Sequence, residues 1–274
     1  MRSMRFGSVA FGLIALTVLM GALASTPEEA RAKSFDEIVS SGSLTVAVIP
    51  YGADVIKDPK TGEFSGVFID AITYICQEIN VKPVFKEFTW STFIAGLQAG
   101  QVDLSAAATF ATIKRALAVS FTRPIYFLGI EGVAKKGDTR FGKLESLNRN
   151  DITIAVTQGT GEHRWVVANA PKAKVRALAA SDTSQPLLEV VAGHADVGIS
   201  DSDAVNKTLA KQAAIQKVLG GQTYNPFPVA WAVRKQDTEL LQFLNIALGE
   251  LIASGKLKEF ALKNKAAWAD LIRY

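Results

Sequence analysis

Between residues 103 and 115 the chain reads Asp103-Leu-Ser-Ala-Ala-Ala-Thr109-Phe-Ala-Thr112-Ile-Lys-Arg115. The apolar run over 102–108 predicts a short strand, followed by a turn. A threonine then stands three residues ahead of an arginine at what reads as a helix start. A hydroxyl, backbone N–H groups without helical partners and a guanidinium converge on one spot, at the positive end of a helix dipole. The guanidinium fork matches the two oxygens of a carboxylate. The chemistry this set suits is capture of a small carboxylate, and it needs no catalyst. The same residues are compatible with a plain helix start, in which Thr112 caps the backbone and Arg115 points into solvent.

Groups for other chemistry are sparse. The two histidines, His163 and His194, have no metal-ligand partner at helical spacing, and each reads as a surface or capping residue. No Ser-His-Asp arrangement can be built from the chain order, so neither a catalytic set, a metal site nor a cofactor is expected. Glu162, beside His163 at a helix start, is the one candidate acid for an enzymatic reading. Cys76 falls on the apolar stripe of a helix and reads as a small core residue, and a single cysteine excludes an internal disulfide.

The elements that position these groups follow a leader. Arg2 and Arg5 precede an uncharged apolar run over 6–24, and two small-x-small sites end at Ala24 and Ala32. That is the layout of a secretory signal peptide over 1–32, cleaved near Ala32 or Ala24. The full chain is 49% hydrophobic and 20% charged, ordinary for a globular protein, with a formal charge of +4. No basic cluster with interleaved aromatics is present, which excludes a nucleic-acid partner.

After the leader, strand and helix patterns alternate. Runs at 44–49, 84–88 and 102–108 read as strands, with helices at 66–79 and 91–99 between them. The order recurs with strands at 152–157, 174–178, 196–199 and 214–219, and helices at 161–169, 184–192 and 201–211. Turn-rich breaks fall at 135–139 and 220–228. A strand at 229–233 and an amphipathic helix at 239–252, through Leu240, Leu244, Leu248 and Leu251, close the chain. These patterns imply α/β architecture in two lobes, each a mostly parallel sheet flanked by helices, with two crossings forming a hinge. The lobes are assigned as 33–129 plus 228–274, and 130–227. A ligand cleft belongs between them, at the C-terminal ends of the strands.

Seven short motifs occur in order over nearly all of the mature chain. They are the opening strand at 41–48, Gly62-Glu-Phe-Ser-Gly66 with Asp70, Trp90 with Leu97-Gln-Ala-Gly-Gln-Val-Asp103, Thr112-Ile-Lys-Arg115, Val119-Ser-Phe-Thr-Arg-Pro-Ile-Tyr126, Ile154-Ala-Val-Thr-Gln-Gly-Thr160, and Gly193-His-Ala-Asp196 followed by Asp201. In these the chain resembles the family 3 extracellular solute-binding proteins, the periplasmic amino-acid receptors of ABC importers. The resemblance implies a type II-like periplasmic-binding-protein fold, a periplasmic monomer, an amino acid or close derivative as ligand, and an inner-membrane ABC permease as partner. It implies that Arg115 grips the ligand carboxylate with help from the Thr112 backbone N–H. Thr160, at the helix start with Gly161, supplies N–H and hydroxyl to the same group. Asp201 accepts the ammonium, Trp90 stacks on the aliphatic part, and Tyr51 forms a second wall. Ala108 and Phe110 stand where the family usually offers hydrogen-bonding groups, so Phe110 turns away or adds an apolar wall. The fold is also similar to that of secreted cyclohexadienyl dehydratases, which keeps an enzyme as the alternative.

Overall fold

The structure, a computed structural model, describes residues 33–269 and Ile272. The expected signal peptide, 1–32 with its two cleavage sites, lies outside the described residues. The chain enters through α1 (Phe35–Ser41), a short helix held by a capping box: Ser34 Oγ accepts from the Glu37 N–H and the Glu37 carboxylate accepts from the Ser34 N–H. β1 (Ser43–Val48) leads through a two-stranded hairpin, β2 (Ile56–Lys57) and β3 (Phe64–Ser65), to α2 (Val67–Glu78). Val67, Phe68, Ala71, Ile72, Ile75 and Cys76 form the buried stripe of α2, so Cys76 is a core residue and burial pushes its thiol up to about 11. β4 (Lys82–Glu87), α3 (Phe93–Gln98), β5 (Leu104–Phe110), the four-residue α4 (Ile113–Ala116) and β6 (Val119–Phe121) follow.

β7 (Tyr126–Lys135) carries the chain into the second lobe. There β8 (Thr153–Thr157), α5 (Gly161–Asn169), β9 (Lys174–Leu178), α6 (Gln185–Ala192), β10 (Val197–Asp201), α7 (Ser202–Leu209) and β11 (Ile215–Lys217) alternate. β12 (Tyr224–Arg234) brings it back, and α8 (Thr238–Ala253) and α9 (Lys256–Lys263) pack on the first lobe. The main sheet runs in the order β4-β1-β5-β12-β7-β10-β8-β9. β4, β1 and β5 are parallel, as are β10, β8 and β9, while β12 and β7 are antiparallel to their neighbours. Each lobe is therefore a mostly parallel sheet completed by one returning strand.

The apolar cores divide along the same line. One contains Val46, Phe68, Leu104, Leu128, Trp231 and Leu248, with the Trp231 ring edge-on to Phe68 at 5.5 Å. The second lobe is covered on both faces of its sheet: Ile130, Ile154 and Trp165 on one, Val133, Ala155, Leu187 and Val205 on the other. Leu128 and Ile130, two residues apart on β7, belong to different cores.

The chain leaves one core for the other within β7, between Leu128 and Ile130. The turn at 135–139 is not where the chain changes lobe, because Lys135 is still paired with Ile215 inside the second lobe. The change occurs within continuous strands. Tyr224 pairs with Ile130 and Phe227 with Leu128, a register shift that bulges β12 at Asn225 and Pro226. Asn225 takes a left-handed φ of 42°, and Pro226 has no N–H to give a ladder. A Cβ on Gly129, opposite this bulge, would lie 1.9 Å from Thr223 Cγ2, so the two strands approach this closely only with glycine there. The expected helix at 239–252 is present, but the chain continues into a further helix, α9, that was not assigned from the sequence.

Candidate functional site

Three strands of the parallel pairs end at the same gap. Phe110 closes β5, Gln158 and Gly159 follow β8, and Asp201 closes β10. Strand C-terminal ends at a topological switch are where an α/β sheet leaves a crevice.

On the first-lobe side, Thr112 is the N-cap of α4 and its hydroxyl accepts from the Arg115 N–H at 3.3 Å. One short turn then sorts its side chains sharply. Ile113 and Leu117 are 90% and 74% exposed, whereas Arg115 is 5% exposed. The Arg115 guanidinium donates to the Phe110 carbonyl and, across the gap, to the Gly159 carbonyl, each at 3.0 Å, and lies 5.5 Å from the Phe93 ring centre. Burial, reinforced by Arg164 and opposed by Glu162, lowers its pKa to about 10, so it stays charged at neutral pH. Among the described residues Arg115 makes no ion pair. Thr112 is a helix cap, and Arg115 is turned inward, not into solvent. Thr112 itself is not part of the cavity wall, which departs from the expectation that its N–H meets a ligand.

The second-lobe side offers a helix start and two carboxylates. Thr160 caps α5. Its hydroxyl accepts from the His163 N–H at 3.2 Å and donates to the Thr157 carbonyl at 2.9 Å. The hydroxyl proton expected for a ligand is thus committed to the backbone in this structure, and what remains to offer is the first turn's N–H groups. Gly161 is dictated by packing across the gap, since a Cβ there would lie 2.7 Å from Phe110 Cδ2. Phe110 is buried and stacks on Phe227 of β12 with centres 4.9 Å apart, so it forms an apolar wall. Asp201 is the N-cap of α7. Its Oδ1 accepts from the Ala204 N–H at 2.9 Å and from the Tyr51 hydroxyl at 2.7 Å, and burial raises its pKa. Glu162 is 5% exposed. Burial, and then the Asp201 charge, push its pKa up to about 7, against its own backbone N–H, Thr160 and Arg115.

Trp90 seals one end. Its Nε1 donates to the Ser181 carbonyl at 3.1 Å, and its ring stands edge-on to Tyr51 with centres 6.2 Å apart. Three hydrogen bonds thereby join the lobes across the gap, from Arg115, Tyr51 and Trp90. They leave a cavity of about 20 Å³, room for about one water.

The cavity wall brings together Arg115, Asp201, Trp90, Tyr51, Thr160, Gly161 and Phe110, all singled out in the sequence, with Ala108 and Glu162. Leu128, from the crossing strand, and Thr183, from the loop before α6, complete it without having been anticipated. His163 and Arg123 lie outside the wall. His163 Nδ1 accepts from the Gly159 N–H at 3.4 Å, and His194 stands exposed beside Glu189. Among the described residues no group of three or more His, Cys, Asp or Glu is placed to hold a metal ion.

The sequence profile of the bacterial extracellular solute-binding proteins, family 3, matches residues 44–265. The chain is 27% identical to the histidine-binding periplasmic protein of Escherichia coli (strain K12), over 82% of this chain and 91% of that one. It is 27% identical to the L-arginine-binding protein of Pseudomonas aeruginosa, over 88% and 93%. Among solved structures, an ancestral amino acid-binding protein, a precursor of cyclohexadienyl dehydratase, superposes with a TM-score of 0.73 at 29% identity, covering 83% of this chain and 97% of that one.

Proposed function

Because the chain belongs to family 3 of the bacterial extracellular solute-binding proteins, we propose that it is an exported receptor. It closes its two lobes over a free amino acid and delivers it to an inner-membrane ABC importer. The observation that carries this reading is Arg115, a buried guanidinium that makes no ion pair among the described residues and shares one small cavity with Asp201 from the opposite lobe. A zwitterion taken out of water needs an opposite charge at each end, because an unpaired buried charge is costly. The ligand carboxylate goes to the remaining N–H groups of Arg115 and the first-turn N–H groups of α5, beginning at Gly161. The ammonium goes to Asp201, whose Tyr51 bond holds the carboxylate in place. Trp90 and Phe110 flank the side chain.

The rigid bodies of this reading are 33–129 plus 228–274, and 130–227, hinged where β7 and β12 cross. Ligand contacts from both lobes exist together only in the closed form, so binding and closure are one equilibrium. The amino-acid specificities in the names of the histidine and arginine receptors support the ligand class. The likeness to a dehydratase precursor is to a binding protein, and supports binding rather than turnover.

Thermal unfolding in the presence of each common amino acid tests the proposal. A true ligand raises the melting temperature with the logarithm of its concentration, by an amount worth about 2.7 kcal/mol at a hundredfold excess over Kd. Mass analysis of the mixture then recovers the ligand unchanged. Stabilisation by no amino acid, or steady conversion of the compound added, overturns the receptor reading, the latter in favour of an enzyme.

A further inference from the structure

The charges lining the cavity do not balance for a simple zwitterion. Arg115 faces a ligand carboxylate and Asp201 faces an ammonium, which leaves the carboxylate of Glu162 over. Glu162 lines the same cavity, is 5% exposed and makes no ion pair among the described residues. Its position is set by the backbone: Thr160 caps α5, Gly161 gives way to Phe110, and the next side chain is directed at the gap. Arg164, two residues further along α5, is half-buried and does not line the cavity, and the His163 ring is turned back to the Gly159 N–H. The backbone N–H of Glu162 itself and the nearby Arg115 charge soften the cost of the Glu162 charge without cancelling it.

Resting on the receptor reading above, we infer that Glu162 is the specificity-determining residue of the site and takes a second cationic group carried by the ligand side chain. The substrate class is a dibasic amino acid. A neutral side chain leaves Glu162 either charged and unpaired in a closed, dry cleft, or obliged to hold a proton. An acidic side chain sets two carboxylates side by side and is rejected. Selection follows from the anion already buried at the site, as well as from shape.

The sign of the pH dependence is fixed by the same argument. Burial raises the Glu162 pKa to about 7, so the cation-accepting form becomes populated as pH rises through neutrality. Affinity for a dibasic ligand increases between pH 5.5 and 8 relative to that for its neutral isostere. Contributions from Arg115, Asp201 and Tyr51 to the α-carboxylate and α-ammonium cancel in that ratio.

The experiment compares arginine with citrulline, its uncharged isostere, by titration calorimetry on the full mature chain and on Glu162→Gln at pH 5.5, 7 and 8. The unliganded melting curve of each protein reports its folding. The wild-type protein is expected to favour arginine at least tenfold at pH 8, with the preference shrinking towards pH 5.5. Glu162→Gln is expected to lose both the preference and its pH dependence while still binding citrulline. An arginine-to-citrulline ratio unchanged by Glu162→Gln, or a wild-type protein that binds the two equally at every pH, overturns the inference and leaves the receptor reading standing. A wild-type protein that binds no amino acid at all overturns both.

Discussion

Two arginines among the described residues are buried, and they are buried differently. Arg234, at the end of β12, is 1% exposed. Its guanidinium meets Asp237 at 2.8 Å and Asp103 at 3.8 Å and donates to the carbonyls of Val102 and Lys33. Arg115 is 5% exposed, meets two carbonyls, and makes no ion pair among the described residues. The chain completes the charge of Arg234 from its own residues, tying the chain entry, β5 and β12 together. At Arg115 compensation is deferred. A buried guanidinium without an anion is costly, and the structure carries that cost at the one place where strand ends from both lobes converge. The difference separates an arginine neutralised within the fold from one that, on the proposed reading, is kept for a ligand.

The comparison is most sharply tested by deleting each cation. Arg234→Ala leaves the buried Asp103 and the half-buried Asp237 without their cation, and removing one partner of a buried pair costs about 3–5 kcal/mol. A large loss of stability in urea unfolding is expected, with any remaining folded protein still responding to ligand. Arg115→Ala removes a charge whose burial is not offset by a carboxylate. Its unliganded melting temperature should stay near that of the wild type, while the amino-acid-induced shift disappears. If Arg115→Ala unfolds like Arg234→Ala, the two sites are equivalent and the distinction fails.

A smaller effect is expected at the facing wall. Gly161→Ala places a methyl 2.7 Å from the Phe110 ring, a contact that exists only with the lobes together. Overpacking of this kind costs about 1–3 kcal/mol, and here it falls on the closed form alone. Ligand affinity should drop by roughly tenfold to hundredfold on that scale, with little change in unliganded stability. A mutant that melts early yet binds normally would show that Phe110 and Gly161 are packed for the fold.

How much of this was legible in the sequence depended on whether the signal was local. The strand-turn-helix from Leu104 to Ala116 was legible, because its apolar run and its capping threonine are contiguous. α1 had a complete capping box in Ser34 and Glu37 that passed unread. α9 carries Leu257, Phe260 and Ala261 at helical spacing on its buried face, masked by Lys256 and Lys258 between them. β7 shows no alternation because it is buried on both faces over most of its length, so its ten residues carry no strand signature in the sequence. At the site, Arg115 and Asp201 were found by residue type and order. Leu128 and Thr183 were not, because only the tertiary crossing brings them to the cavity. Burial of Glu162 was equally invisible, since no spacing along α5 says that its first turn faces another lobe.

A third buried charge refines the contrast at the smallest scale. Asp54 is 0% exposed and receives hydrogen bonds from the Tyr126 hydroxyl and, at 2.8 Å, from Trp268 Nε1. Both donors are neutral, and the pKa still rises to about 7, with burial the dominant cause. Its environment is complete in hydrogen bonds and incomplete in charge. The folded protein therefore holds a proton on Asp54 that the unfolded chain releases above about pH 4. Stability from this group is fully present below that pH and is lost as pH rises towards 7, by at most about 1.4 kcal/mol per unit. Glu162 and Asp201 act in the same direction, so the wild-type slope is a sum. Asp54→Asn keeps an acceptor for one donor and cannot ionise, and it should flatten the fall in urea midpoint between pH 4.5 and 7 without altering ligand affinity. An unchanged slope in Asp54→Asn would mean that Asp54 stays ionised in the fold, and that Tyr126 and Trp268 compensate its charge as fully as Asp103 and Asp237 compensate Arg234.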